Sequence, residues 1–286
     1  MLIDFHTHTT ASDGALTPRE LLQRASEAGI DLFAITDHDT MAGYLEASQF
    51  QLDYPTVKLV PGVEVSCRWS ATTIHVVGLG VDCQHPAMCE GLAELDTART
   101  ARGIKIAERL ASRGFPGALE GAQIEAGGGQ LGRPHFASWM VAQGHVPDHN
   151  TAFDKYLGQG KPGDVKAFWP ELARAVAWIV DAGGIAVLAH PLKYKYTRMK
   201  LRRLVQDFAE AGGTAVEALS GRQTPDQTAQ LLRLAEDFEL DVSAGSDFHR
   251  DGPYSPRLGV ELLRLEARSG VWRHFESAQE NPEEAR

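Results

Sequence analysis

Leu2-Ile3-Asp4-Phe5-His6-Thr7-His8 opens the chain with a brief apolar run that ends on two histidines, two residues apart. On an extended backbone alternate side chains share a face, so both imidazoles project to one side, where two ring nitrogens suit a single cation. Similar short apolar runs follow at 32–36, 59–65, 74–79, 185–189, 215–219 and 242–246. Amphipathic stretches separate them, and several end on glycine, as in Glu27-Ala28-Gly29, Asp181-Ala182-Gly183 and Glu210-Ala211-Gly212, where glycine accepts the left-handed conformation after a helix. Strands alternating with helices predict βαβ units around a parallel sheet, hence an α/β fold. The rhythm breaks between residues 86 and 165. There a helical pattern over 90–113 leads into a glycine-rich stretch and more helix. We expect a sheet or barrel domain from 1–85 and 166–286, with a helical insertion at 86–165 that covers one end and contributes substrate contacts.

Polar residues fall repeatedly where the strands end. Asp13 lies in the loop after His8, Asp37-His38 closes the second strand, and Glu64 ends the third. His75 lies in the fourth, His190 follows the fifth, and Asp247 with His249 follows the last. In α/β barrels the carboxyl edge is the catalytic one. Imidazole nitrogens and carboxylate oxygens in this mixture suit manganese, zinc or iron, and exclude a soft thiolate site. Cys67, Cys83 and Cys89 form no CxxC pair and are expected to be reduced, buried thiols. His85, His145, His149 and His274 lie away from the strand ends and are expected at the surface.

The chain has 286 residues, 43% of them hydrophobic and 23% charged, which is an ordinary globular composition. A net charge of −10 argues against broad binding to duplex DNA, so an anionic substrate must be captured locally. The absence of a leader pattern or a bilayer-length apolar run predicts a cytoplasmic protein without a membrane partner. The acidic end, 279–286, is expected to fray.

Phe5-His6-Thr7-His8, Ser12-Asp13-Gly14, Thr36-Asp37-His38, Gly62-Val63-Glu64, Ala189-His190-Pro191 and Ser246-Asp247-Phe248-His249 together resemble the successive motifs of the polymerase and histidinol phosphatase (PHP) family of metal phosphoesterases. The resemblance implies a distorted seven-stranded (β/α) barrel of TIM-like type with two or three divalent ions, manganese first, at its carboxyl end. It implies that His6, His8, Glu64 and Asp247 hold one ion and that Asp13, His38 and His249 hold a second. Glu64 would bridge to a third, completed by His75 and His190, with His135 able to replace either. Within the family, the segments 12–18, 75–80 and 132–137 look most like the nucleotide 3′,5′-bisphosphate phosphatases, whose close subgroup also degrades short 5′-phosphorylated RNA from its 5′ end.

On that reading Glu64, Asp13, His190 and Asp247 hold a metal-bridging hydroxide, since coordination lowers the pKa of water from about 15.7 to roughly 7. Three divalent ions against the carboxylates of Asp13, Glu64 and Asp247 leave the pocket about three units positive, which favours small anionic substrates over long nucleic acids. Substrate contacts are expected from Asp13, His38, Arg99, Arg102, Arg133 and His135; Arg99 and Arg102 lie three apart on a predicted helix, and a planar guanidinium binds phosphate through paired hydrogen bonds. Histidinol phosphate is the nearest rival substrate. A metal-dependent amidohydrolase also opens with HxH, but the closing Asp247-Phe248-His249 argues against it. The reading of another class is a non-catalytic module that binds metal or nucleotide.

Overall fold

The computed structural model describes residues 1–165, 169–253, 255–262 and 269–276. The acidic end at 279–286 lies outside them. In chain order the elements are β1 (Leu2–Asp4), α1 (Pro18–Glu27), β2 (Leu32–Ala34), α2 (Ala42–Ser48), β3 (Lys58–Val60), β4 (Gly62–Trp69) and β5 (Thr72–Leu79). Then come α3 (Pro86–Ala111), α4 (Ala118–Ala126), α5 (Arg133–Ala142), α6 (His149–Ala152), α7 (Leu172–Asp181), β6 (Ile185–Leu188), α8 (Arg198–Glu210) and β7 (Ala215–Ser220). The chain continues through α9 (Pro225–Asp237), β8 (Asp241–Gly245), β9 (Val260–Glu261) and α10 (Arg273–Glu276).

The fold is mixed α/β, but the described strands do not close into one barrel. One sheet has the order β3-β2-β1-β9 and the other β4-β5-β6-β7-β8. Three features break the expected parallel series. The predicted strand 59–65 is two strands in different sheets, because Pro61 has no N–H for a ladder, and its carbonyl instead accepts the Gly80 N–H at 2.7 Å. Gly62 then passes so close to the second strand that a Cβ would lie 2.8 Å from Thr36 Cγ2. β4 and β5 form an antiparallel hairpin, turned by Ser70 and Ala71 at φ 46° and 61°. Turns of that hand favour Asn-Gly or Asp-Gly, so this one carries no sequence signal. Glu64 consequently sits inside β4 and not at a strand end. β9, antiparallel to β1, completes the first sheet.

The two sheets meet at the end of β1 and β2 through isolated bridges, Thr7 to Phe248 and His38 to Glu64. Hydrogen bonds from Phe5 N–H to Ala244 O (3.1 Å) and Asp39 N–H to Glu64 O (2.9 Å) tie the same seam. Helix ends follow local chemistry. Thr17 caps α1 and exchanges bonds with Glu20, while Gly29, Gly183 and Gly212 follow α1, α7 and α8 at φ 73°, 74° and 100°.

The main core lies under α7, α8 and α9 against the five-stranded sheet, and a smaller one beneath α1 holds Leu21, Leu22, Phe33 and Ile35. A third cluster, including Ile106, Leu110, Phe136 and Met140, belongs to residues 86–165. α3 spans both regions: Met88, Leu95 and Ala98 pack in the main core and Ile106 and Leu110 in the third. All three cysteines are free, but only Cys67 is buried; Cys83 is half-buried and Cys89 exposed on the first turn of α3. Among the described residues no helix is long and apolar enough to cross a membrane.

Candidate metal centre

The seam between the sheets carries the polar cluster. Thr7 anchors it, with its N–H donating to Thr36 Oγ1 (3.1 Å) and its hydroxyl to Ala34 O (2.8 Å), while His6 and His8 on either side point inward and are buried. Asp37 accepts the Thr9 N–H (2.7 Å), the Thr9 hydroxyl (2.6 Å) and the Ser12 hydroxyl (2.6 Å), folding the turn that presents Asp13. Gly43 is required beside it, since a Cβ there would lie 1.9 Å from Asp37 Oδ2. Asp4, wholly buried, accepts from Ser246 N–H (2.7 Å) and Gly259 N–H (2.8 Å) and so joins β1 to the ends of β8 and β9; burial raises its pKa to about 6 against those bonds. Gly245 allows β8 to approach His6, whose Cβ would be 2.3 Å from an added Cβ. Asp39, His190 and Asp247 all hold positive φ, at 56°, 30° and 56°. Non-glycine residues occupy that region at a conformational cost and are enriched at functional sites.

Glu64 is the hub. Its two oxygens lie 2.8 Å from His38 Nδ1, 2.9 Å from His190 Nε2, 3.0 Å from His75 Nδ1, 3.3 Å from His6 Nε2 and 3.4 Å from His8 Nε2, of which the His190 contact has hydrogen-bond geometry. Asp247 Oδ1 lies 3.6 Å from His6 Nε2, 3.4 Å from His8 Nε2 and 3.5 Å from His249 Nδ1. Asp13 faces His249 Nε2 at 3.3 Å, His38 Nε2 at 3.8 Å and His8 Nδ1 at 3.9 Å. Four overlapping groups have ligand atoms within 4.8 Å of one another: His8, Asp13, His38 and His249; His6, Glu64 and His190; His6, His8 and Asp247; His38, Glu64 and His75. All nine residues expected from the sequence are thereby gathered.

Electrostatics follow from packing charge away from water. Burial disfavours a charged His6, yet the carboxylates of Glu217 and Glu64 overcome it and raise the ring to about 10. Burial pushes Glu64 up, but His38, His75 and His6 outweigh it and hold its carboxyl well below the usual range. His8 is driven well down by burial and then by His249 and His38, and burial takes His75 to about 4. Eight polar atoms at the centre are buried without a hydrogen-bond partner: His6 Nε2, both nitrogens of His8, Asp13 Oδ1, His38 Nδ1, Glu64 Oε2, His75 Nδ1 and His190 Nδ1. Orphaned polar atoms are costly when buried, and here all eight belong to seven residues that converge with ligand spacing. Nitrogen and oxygen donors in that number fit divalent cations. Cys67 takes no part, its thiol donating to Ile74 O at 3.4 Å.

Of the expected substrate residues, Asp13 and His38 belong to the cluster itself, and the others lie on α3 and α5. Arg99 is already engaged: its Nε donates to Asp39 Oδ2 (2.6 Å) and its Nη1 to Leu131 O (3.2 Å). Arg102 is less committed, with one bond to Val165 O at 3.3 Å, and it lies 5.7 Å from the Trp169 ring centre. Burial, then the charges of Arg133 and Arg99, lowers it to about 9. Arg133 donates to Leu157 O at 3.2 Å. His135 is buried near Asp13, accepts the Gly132 N–H at 3.0 Å, and stands outside the ligand groups. Of the four histidines expected at the surface, His145 and His274 are exposed; His85 caps α3 and His149 contacts Ser138, both half-buried.

Three contributors escape the strand-end pattern. Glu217, buried within β7, accepts from His6 Nδ1 (2.9 Å) and from the His190 backbone N–H (2.6 Å). A lone acid inside the apolar run Ala215-Val216-Glu217-Ala218-Leu219 was the available signal. Tyr194 receives the His75 N–H at 2.9 Å, and Lys193, half-exposed, pairs with Asp247. Neither has a local signature.

Residues 4–182 match the PHP domain. The chain is 43% identical to the 5′-3′ exoribonuclease Rnm of Escherichia coli K12, over 99% of this chain and 97% of that protein. It is 39% identical to a 3′,5′-nucleoside bisphosphate phosphatase of Chromobacterium violaceum, over 96% of each. Its fold superposes with a TM-score of 0.87 on a structure from C. violaceum, described as an amidohydrolase with bound sulfate and no metal, which is 38% identical and shares 96% of this chain and 95% of that one.

Proposed function

The chain belongs to the PHP domain family, and on that premise we propose that it is a metal-dependent phosphoesterase that removes the 3′-phosphate from nucleoside 3′,5′-bisphosphates and shortens 5′-phosphorylated RNA from its 5′ end. The observation that carries the reading is the set of buried, unpartnered imidazole and carboxylate atoms facing one another around Glu64. We assign His6, His8, Glu64 and Asp247 to one cation, Asp13, His38 and His249 to a second, and Glu64 with His75 and His190 to a third. Divalent cations, with manganese the first candidate, supply Lewis acidity when bound: they acidify water and attract the phosphoryl oxygens.

The chain's own groups do the rest. Glu217 holds the His6 Nδ1–H at 2.9 Å, which keeps Nε2 facing Glu64 and Asp247, where it would ligate a cation once its proton is displaced. Asp37 aims Asp13 through the turn at Thr9 and Ser12. Arg102 and Arg133, neither bound to a carboxylate among the described residues, are the groups we assign to the substrate's 5′-phosphate, remote from the bond being cut; Arg99 supports them from Asp39. We read the two sheets, joined through the bridges at Thr7 and His38, as an opened form of the family's distorted barrel, and residues 86–165 as its lid. A net charge of −10 weighs against capture of duplex DNA.

The test is phosphate and nucleotide release by the manganese-loaded protein from adenosine 3′,5′-bisphosphate, histidinol phosphate and a 5′-phosphorylated trinucleotide, measured side by side. Turnover of the first and third is expected. Turnover of histidinol phosphate alone transfers the protein to that substrate class.

A further inference from the structure

We propose that the loop and helix following His190 form a basic track that holds single-stranded RNA on the 3′ side of the bond cut at the metal centre. The inference rests on the phosphoesterase reading above and gives the longer substrate its path. Lys193, Lys195, Arg198, Lys200, Arg202 and Arg203 fall within residues 193–203 with no acid among them, in a chain whose net charge is −10. Nothing in the metal-site assignment accounts for such a concentration.

Topology puts the segment at the mouth of the site. β6 runs parallel to β7, and His190 follows its carboxyl end, so α8 starts on that edge and carries the chain back down. Lys193, Lys195 and Arg198 are exposed there, and Lys200 is half-buried. Lys193 touches Asp247 itself. Arg202 is occupied by Asp237, whereas Lys195, Arg198 and Arg203 have no carboxylate partner among the described residues.

The track is also held still. The Tyr194 hydroxyl donates to Ala189 O at 3.0 Å and receives the His75 N–H at 2.9 Å. Rings then pack in series, Tyr194 5.5 Å from His190, Tyr196 5.9 Å from Tyr194, and Trp69 5.6 Å from Tyr196, with the Lys200 ammonium 4.1 Å over Tyr196. Thr197 caps α8. Lys200, held on that scaffold, loses little side-chain freedom on meeting a phosphate chain.

Direction is assigned from Glu64. His38, next to the Asp39 that holds Arg99, reaches its Oε2, and His190, which precedes the track, reaches its Oε1. A strand whose 5′-phosphate lies at Arg102 and Arg133 crosses the centre with its first internucleotide phosphate and leaves over Lys193, Lys195, Arg198 and Lys200. A mononucleotide bisphosphate ends at the centre, beside Lys193, and does not extend to Lys195, Arg198 or Lys200.

The experiment compares wild type with the triple variant Lys195→Gln, Arg198→Gln, Lys200→Gln and with the charge-keeping Lys195→Arg, Arg198→Lys, Lys200→Arg, all loaded with manganese. With adenosine 3′,5′-bisphosphate we expect kcat/KM unchanged within about twofold. With a 5′-phosphorylated decanucleotide the Gln variant should lose about tenfold at low salt, and its log–log salt dependence should flatten by about 2, given ~0.7 per counter-ion released from a single strand. The charge-keeping variant should behave as wild type. Equal losses on both substrates, or none on the decanucleotide, overturn the track. Fluorescence anisotropy with a 3′-labelled decanucleotide separates the two ideas if wild type cleaves neither substrate: weaker binding by the Gln variant keeps the track while removing the phosphoesterase reading, and equal binding removes the track.

Discussion

Replacing Glu217 by Gln tests how the ligand cage is held, because the change keeps shape and removes one charge. Glu217 is 2% exposed, and its two oxygens each receive one donor, His6 Nδ1 at 2.9 Å and the His190 N–H at 2.6 Å. A glutamine offers one acceptor oxygen, so its amide NH2 must face a second donor across one of those contacts. Hydrogen bonds to a charged group contribute roughly 1.5–3 kcal/mol, and a buried donor left unmatched costs about 1–3 kcal/mol. Loss of one contact therefore destabilises the protein by about 2–3 kcal/mol, a fall of about 4–12 °C in Tm at roughly 2–4 °C per kcal/mol. The hydrogen bond that orients a ligating imidazole typically accounts for about 10–100-fold in metal affinity. Calorimetric manganese titration and differential scanning calorimetry of the metal-free protein measure the two quantities independently. If Glu217→Gln binds manganese within twofold of wild type and melts at the same temperature, the reasoning about His6 and His190 is wrong.

Other outcomes follow from the same geometry. Arg102→Ala should raise KM for adenosine 3′,5′-bisphosphate about 10–100-fold, from one charge-assisted phosphate contact, and leave manganese affinity unchanged; a parallel fall in metal affinity would show that the arginine supports the cage instead. Manganese binding should release protons at pH 8. His6 lies at about 10, above its ordinary 6.5, so the metal-free fold draws stability from protonated His6 that is complete below 6.5 and lost as pH rises through 10, and a cation taking Nε2 must displace that proton. Titration in weak buffer detects the release, and its absence would contradict the assignment of His6. Gly43→Ala should cost about 1–3 kcal/mol and lower turnover, because its Cβ would lie 1.9 Å from the Asp37 oxygen that pins the Asp13 turn; thermal melts and initial rates report both. Asp13→Asn should abolish most phosphate release while the protein remains folded by circular dichroism, and undiminished turnover would restore the non-catalytic reading.

Much of the candidate site was legible because its residues stand where local pattern is strongest. His6 and His8, His38, His190, and Asp247 with His249 each follow an apolar run, and the structure gathers them at the seam between the sheets. Glu64 was found for a different reason than the one that makes it central: it was expected to end a parallel strand, and it lies inside the β4–β5 hairpin where five imidazoles reach it. The hairpin itself was missed because Ser70 and Ala71 adopt left-handed backbone without the glycine or asparagine that usually announces it. The arginines were read correctly as neighbours on a helix, but their unequal engagement, Arg99 on Asp39 and Arg102 nearly unpaired, depends on contacts across more than thirty residues.

By itself the sequence determined the chemistry on offer: nitrogen and oxygen ligands at strand ends, helices with their stops, and a net negative chain that must confine positive charge to a site. Spacing of two along a strand and three or four along a helix carries that information locally. Tertiary structure alone decided that two sheets share the site, that Glu217 holds His6 and His190, and that the basic run after His190 stands at its mouth. Those relations join β1, β4, β6 and β7, and such contacts form only when burial of the core brings distant segments together, which no local spacing encodes.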